Sequence, residues 1–287
     1  MKGTLQQERK TGAPVCLSAP VPTFKLTIEY DGTDYHGWQV QPGMATIQGT
    51  LEDAMARIIG EPVHVHGAGR TDAGVHALGQ VASLCAKFKH PPETLRRALT
   101  SLLPPDIVVT RVEEAPDDFN AQRWAQWKRY RYTMLTRPYP SALERRNTLF
   151  VPRPLNVEAM AEAADLLFGE HDFSSFQAAK SSIENPVRTI LLAQFQQKGE
   201  HLFFEVTADG FLRHMIRIIM GTLLDVGRGK LSPGDVKPIL EAKDRKQASK
   251  TLPAHGLCLL EVGYQPFHSG HPSPSPTRGK SEVGGGG

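Results

Sequence analysis

Cysteine is scarce in this chain: Cys16, Cys85 and Cys258 are all there is in 287 residues. They lie far apart, are odd in number and form no C-x-x-C pair. That excludes a disulfide framework and a cysteine-based zinc site, and it fits a reducing, cytoplasmic setting. Long apolar runs are missing too, and none approaches the roughly 20 residues that a membrane helix requires. The cationic residues near the start (Lys2, Arg9, Lys10) are followed by no apolar core, so no secretory signal is expected. Neither sign of charge dominates: 33 Lys and Arg against 30 Asp and Glu leave a formal +3, which permits a polyanionic partner without arguing for one. Aromatics make up only 7% of the chain, so their clustering matters more than their number. With 40% hydrophobic residues the chain belongs to the globular class and is long enough to bury a sizeable core.

Read in order, the periodicity predicts two successive βαββαβ halves. In the first, Lys25 to Asp31 alternates as a strand and Thr46 caps a helix running to Ile59. Val63 to His66 and Gln80 to Phe88 follow as strands, Glu93 to Leu102 as a helix, and Ile107 to Val112 as a strand. In the second, strand Arg129 to Leu135 precedes helix Val157 to Phe168. A hairpin (Arg188 to Gln197, Leu202 to Ala208), an apolar helix Phe211 to Val226, a shorter helix from Pro233 to Ala242 and strand Leu257 to Tyr264 complete it. The order of elements repeats, whereas the residues do not. The expected fold is α+β: two RRM- or ferredoxin-like halves forming an extended antiparallel sheet, helices on one face and a concave RNA-binding cleft on the other. The expected organisation is a disordered leader over 1–23, an N-terminal subdomain over 24–115, a C-terminal subdomain over 116–265 and a disordered Gly/Ser/Pro tail over 266–287.

Four stretches carry chemistry. Gly67-Ala68-Gly69-Arg70-Thr71-Asp72-Ala73-Gly74-Val75-His76 reads as a loop between strands, with a carboxylate set among glycines. A plain turn, in which Arg70 and Asp72 pair with each other or cap backbone, competes with a loop that offers Asp72 to a ligand. A lone carboxylate suits a nucleophile or single proton carrier better than an acid–base pair. The loop lacks both the phosphate-loop and the dinucleotide patterns. Tyr35, His36, Trp38 and Gln39 sit on a Gly-rich loop that is either a stacking platform or a segment folded onto the core. Phe119-Asn120-Ala121-Gln122-Arg123-Trp124 and Trp127-Lys128-Arg129-Tyr130-Arg131-Tyr132 interleave aromatics with cations, as looped RNA requires; an amphipathic edge strand is the alternative. Arg213 and Arg217 are four apart in an otherwise apolar helix, a costly placement without a carboxylate, and Asp72 is a candidate partner. His64, His66 and His76 lack the further ligands that a metal site needs.

These motifs together resemble the tRNA pseudouridine synthase A family. The resemblance rests on the Asp loop with Gly79-Gln80-Val81, on Ile28-Glu29-Tyr30-Asp31-Gly32-Thr33 with Gly37-Trp38-Gln39, and on Lys128-Arg129-Tyr130-Arg131-Tyr132. His171-Asp172-Phe173-Ser174-Ser175-Phe176 and Phe211-Leu212-Arg213-His214-Met215-Ile216-Arg217 complete it, and it spans about 24 to 264. The resemblance implies a pseudouridine synthase fold. It implies isomerisation of uridine to pseudouridine at positions 38, 39 and 40 of the tRNA anticodon stem-loop, by a homodimer that needs no cofactor or metal. It also implies Asp72 as catalytic nucleophile, Tyr130 and Arg217 as substrate-site residues, and Arg70 as the residue holding the extruded nucleotide. Phe119, Asn120, Ala121, Gln122, Arg123 and Lys180 would contact RNA. The chain departs from the family pattern at Gln122, where an arginine is usual, and at Glu184, whose charge is wrong for phosphate. A non-catalytic double RRM-like RNA-binding protein is the alternative.

Overall fold

The structure, a computed structural model, describes residues 21–179 and 185–268. Most of the leader (1–23) and tail (266–287), and the whole Lys180 to Glu184 loop, therefore lie outside the described residues. In chain order the elements are β1 (Thr23–Tyr30), α1 (Ile47–Ile59), β2 (His66–Gly67), β3 (His76–Cys85), α2 (Pro92–Leu102), β4 (Ile107–Ala115), β5 (Trp127–Leu135), β6 (Leu149–Phe150), α3 (Val157–Asp165), β7 (Gly169–Asp172), β8 (Val187–Lys198), β9 (His201–Ala208), α4 (Met215–Gly227), α5 (Val236–Glu241) and β10 (Leu257–Gly263). Among the described residues no helix is long and apolar enough to cross a membrane.

The ten strands among the described residues join one sheet. Its main path runs β4-β1-β3-β10-β5-β9-β8-β7, with β2 on β3 and β6 on β5. Pairing is antiparallel except at β10/β3 and β5/β6. The final strand thus stands between the two halves: β10 pairs with β3 through Cys258 and Leu259 and with β5 from Leu257 to Gly263. A chain end from the second half closes the sheet against the first, and the two halves share one hydrophobic core.

The local reasons are plain. In β1, Leu26 and Ile28 are fully buried, while Lys25 and Thr27 point to the other face and line a groove of about 350 Å³ with Gly79, Val81 and Arg111. Thr46 caps α1 by accepting from Gly49 N at 3.2 Å, and Asn156 caps α3 by accepting from Ala159 N at 3.0 Å. The apolar helix α4 is buried on nearly every side.

Some predicted bounds shift. The strand expected over Val63 to His66 is only the two-residue stub β2, although Val63 and Val65 are buried. The strand expected from Gln80 starts at His76, because β1 and β10 both pair with its first residues. Helix α4 starts at Met215 rather than Phe211, so Arg213 precedes the helix and does not share a helical face with Arg217.

Candidate active site

The Asp loop between β2 and β3 is pinned at almost every residue around Asp72. Ala68 N donates to Val81 O at 2.7 Å, and Gln80 Nε2 donates to Gly69 O at 2.9 Å. The Thr71 and Tyr30 hydroxyls bond to each other at 2.8 Å, and Trp38 N donates to Thr71 O at 3.1 Å. At the loop's end, Gly32 N donates to His76 Nδ1 at 3.1 Å and His76 Nε2 lies 2.8 Å from Arg146 O. Arg70 makes no ion pair with Asp72, and its side chain is exposed.

The aromatic loop supplies this clamp. Trp38 and Tyr35 are buried, Tyr35 donating from its hydroxyl to Asp106 Oδ1 at 2.7 Å. Of the two readings of that loop, the structure therefore shows the one folded onto the core. Two glycines make the fit possible. Gly37 has φ +88°, and a Cβ there would stand 2.6 Å from Thr71 O; a Cβ on Gly67 would stand 2.4 Å from the Trp38 ring.

Across from the loop stands α4. Arg217 Nη1 donates to Asp72 Oδ2 at 3.0 Å, joining residues 145 apart in sequence. Arg217 Nε donates to Leu252 O at 2.8 Å, and Leu252 N returns a bond to Arg217 O at 3.1 Å. The guanidinium is thus fixed from two sides, with only 15% of the side chain exposed against 25% for Asp72. His214 Nε2 lies 3.7 Å from the same oxygen, Oδ2. The other oxygen, Oδ1, accepts no hydrogen bond among the described residues.

Tyr130 lies on β5 between Leu259 of β10 and Val206 of β9, its ring edge-to-face with Phe211 at 5.2 Å. Its hydroxyl makes no hydrogen bond among the described residues. Burial pushes the phenol pKa upward, and Tyr30 and the Asp72 charge push it further, so it stays protonated at neutral pH. Two residues earlier on the same face, the Lys128 side chain lies against the Asp loop: a Cβ on Gly69 would stand 3.0 Å from Lys128 Cε. Burial lowers the Lys128 pKa, Asp209 opposes the shift and Arg188 adds to it.

A family model described as tRNA pseudouridine synthase matches residues 26–122 and 163–265, more than half of the chain. This chain belongs to the tRNA pseudouridine synthase family. Curated relatives include the tRNA pseudouridine synthase A of Acetivibrio thermocellus, 45% identical over 240 residues, or 84% of this chain and 98% of that protein. Those of Caldicellulosiruptor bescii (46% over 239 residues; 83% and 98%) and Exiguobacterium sibiricum (47% over 241 residues; 84% and 96%) are similar to the same extent. Among solved structures, a Cbf5-Nop10-Gar1 complex aligns with a TM-score of 0.31 at 12% identity, covering 82% of this chain and 57% of that one.

In this pseudouridine synthase family member, Asp72 and Arg217 fall inside the matched segments, and Tyr130 falls between them. The structure brings Asp72, Arg217 and Tyr130 to one place from the loop, α4 and β5. The interleaved aromatic and basic stretch divides. Phe119 and Ala121 are buried, Ala121 N donating to Ser83 Oγ at 3.0 Å and Tyr264 Oη to Ala121 O at 2.9 Å. Asn120 Oδ1 accepts from Gln122 N and Arg123 N, a local cap, while Gln122, Arg123 and Trp124 are exposed. Arg131 pairs with Glu205 at 2.6 Å, and Trp127 Nε1 donates to Gln265 O. Lys180 is outside the described residues. Two side chains near the Asp loop, Lys128 at Gly69 and His214 at Asp72, received no site role from the sequence. Lys128 shares the strand face of Tyr130 by period-two spacing, and His214 sat inside a segment read as continuous helix. Among the described residues no three His, Cys, Asp or Glu side chains gather as metal ligands.

Proposed function

We propose that this chain is an isomerase converting uridine to pseudouridine in tRNA, at positions 38, 39 and 40 of the anticodon stem-loop, with Asp72 as nucleophile. Family membership supports the tRNA uridine isomerase activity. The observation that carries the assignment of the site is the Asp72 carboxylate, held at one oxygen by Arg217 and, among the described residues, unbonded at the other, beside the Tyr130 ring.

The reaction is self-balanced and needs no oxidant or reductant. Asp72 attacks the sugar C1′ and the C1′–N1 bonding pair leaves with the uracil. The base turns, C5 bonds to C1′ and the carboxylate departs. C5 loses its proton and N1 gains one. A glycal route, in which Asp72 takes a sugar proton instead, uses the same residue. Arg217 fixes the carboxylate and compensates its charge in a partly dry site. The Tyr130 ring supplies a stacking surface for the turning base. Because burial keeps its phenol protonated, the hydroxyl relays the C5 proton only while giving up its own. Arg70, exposed on the same loop, fills the space left when the target nucleotide is extruded, a step costing a few kcal/mol.

Gln122 and Arg123 present the polar contacts to RNA, over a base formed by Phe119, Asn120 and Ala121; Lys180 is assigned the same role. Residues 24–115 and 116–265 form two subdomains that supply the loop and the opposite wall. The tRNA substrate implies a cytoplasmic site of action, and a homodimer spanned by one tRNA is the proposed assembly. The test is incubation with unmodified tRNA and mapping of pseudouridine. Asp72→Asn is expected to abolish modification while tRNA binding survives. Modification at the ordinary rate by Asp72→Asn refutes the assignment of Asp72. A wild-type chain that binds tRNA but makes no pseudouridine is a binding protein instead.

A further inference from the structure

Among the described residues only two that are not glycine have positive φ: Lys243, on the surface after α5, and His214, at φ +61°. A left-handed backbone is natural for glycine and disfavoured for histidine, so a histidine at the N-cap of α4 calls for a reason on the side chain. His214 makes no capping hydrogen bond with its side chain. Backbone bonds hold the turn: Ala178 N donates to Arg213 O at 2.9 Å, Met215 N to Leu212 O at 3.1 Å and Ile218 N to His214 O at 3.0 Å. What the imidazole does reach is Asp72, with Nε2 3.7 Å from Oδ2.

Building on the functional reading above, we propose that His214 is the positioning residue for Asp72. As a neutral imidazole it walls the Oδ2 side of the carboxylate, so that Oδ2 stays on Arg217 and Oδ1 stays open to the substrate. On protonation the wall becomes a second cation that competes with Arg217 for Oδ2 and draws charge from the nucleophile. The groups that act on it come from every side: Asp72 from the loop, Arg217 from α4, Arg213 from the preceding turn and Arg245 from the segment after α5. Burial lowers the His214 pKa, Asp72 raises it, and the three arginines lower it again. The imidazole is therefore neutral at pH 7, and with 27% of its side chain exposed it can still exchange protons with solvent as pH falls.

The test uses two substitutions that accept the backbone. His214→Gly favours positive φ and His214→Asn tolerates it. If the residue were only a strained cap, His214→Gly would keep the wild-type rate. The expected result is an unchanged or higher melting temperature with turnover reduced by up to about a hundredfold, the scale of a misplaced reacting group. The wild-type pH–rate profile is expected to fall on its acid side below the ordinary imidazole range, and His214→Asn to move that limb to lower pH. A readout independent of activity is the NMR titration of the His214 Cε1–H. Asp72→Asn removes the charge that raises its midpoint, so the midpoint falls further. Wild-type turnover in both His214 variants, an acid limb that does not move, or equal midpoints with and without the Asp72 charge overturns the proposal. A wild-type chain that forms no pseudouridine overturns the functional reading instead, and the titration still decides the His214–Asp72 contact.

Discussion

Replacing Arg217 with methionine removes one guanidinium and breaks two hydrogen bonds whose worth follows from their surroundings. A hydrogen bond to a charged group stabilises by about 1.5–3 kcal/mol. A quarter of the Asp72 side chain meets solvent, which places the Arg217–Asp72 bond near the lower end, about 2 kcal/mol. The Leu252 carbonyl also loses its donor, for about 1 kcal/mol more. Arg217→Met is therefore expected to cost about 3 kcal/mol, a fall of about 6–12 °C in Tm for a chain of this size. Asp72→Asn is milder, because the amide oxygen still accepts from Arg217 and the Leu252 bond survives. The double variant separates the terms: Asp72→Asn with Arg217→Met should show a coupling of about 1–2 kcal/mol in chemical denaturation. Turnover should fall steeply in each single variant and no further in the double, since both disable the same carboxylate. Strict additivity in stability, or Arg217→Met with wild-type turnover, would refute the reasoning.

Gly37→Ala asks a left-handed residue to carry a Cβ 2.6 Å from Thr71 O, so the Asp loop must shift; turnover should fall by more than about tenfold while Tm falls by a few degrees, and an unchanged kcat would release the loop from that clamp. Tyr130→Phe deletes a hydroxyl that has no hydrogen-bond partner among the described residues. Tm should move little, and turnover should drop by about a hundredfold or more if the hydroxyl relays a proton; equal turnover removes it from the chemistry. Glu205→Ala strips the partner from Arg131, a pair with only 4% and 15% of its side chains exposed, on the strand face opposite Tyr130. It should cost about 3–5 kcal/mol in unfolding and leave kcat at low temperature intact; a lost kcat with an intact Tm contradicts this. Burial, helped by His76, lowers the His255 pKa, as burial lowers that of His214. The unfolded chain then binds more protons below about pH 6.5, so stability present at pH 7 is lost as pH falls, and a Tm series from pH 7.5 to 5 should decline.

Much of this protein follows from short-range rules. Period-two alternation marked Leu26, Ile28, Tyr130, Tyr132 and Met134 as strand residues facing one way. Thr46 marked a helix start, and the three glycines around Asp72 marked a loop. An arginine in an apolar helix demanded a carboxylate, and Asp72 was one candidate. Each of these inferences uses neighbours within a few residues, or a cost that any burial imposes. Tertiary structure decided the rest. It set His76 in a strand because β10 pairs with it and β1 joins at Ala77, and cut the predicted strand at Val63 to a stub because only His66 and Gly67 pair with β3. It turned Trp38 inward against Gly67, and it set Phe119, Ala121 and Arg129 in the core while leaving Arg123 outside. It ended the helix of Arg217 short of Arg213 and put His214 in the left-handed turn beside Asp72. The physical reason is common to all of these: they depend on which atoms meet across a sheet of ten strands, and hydrogen bonds between residues more than a hundred apart leave no mark in local composition.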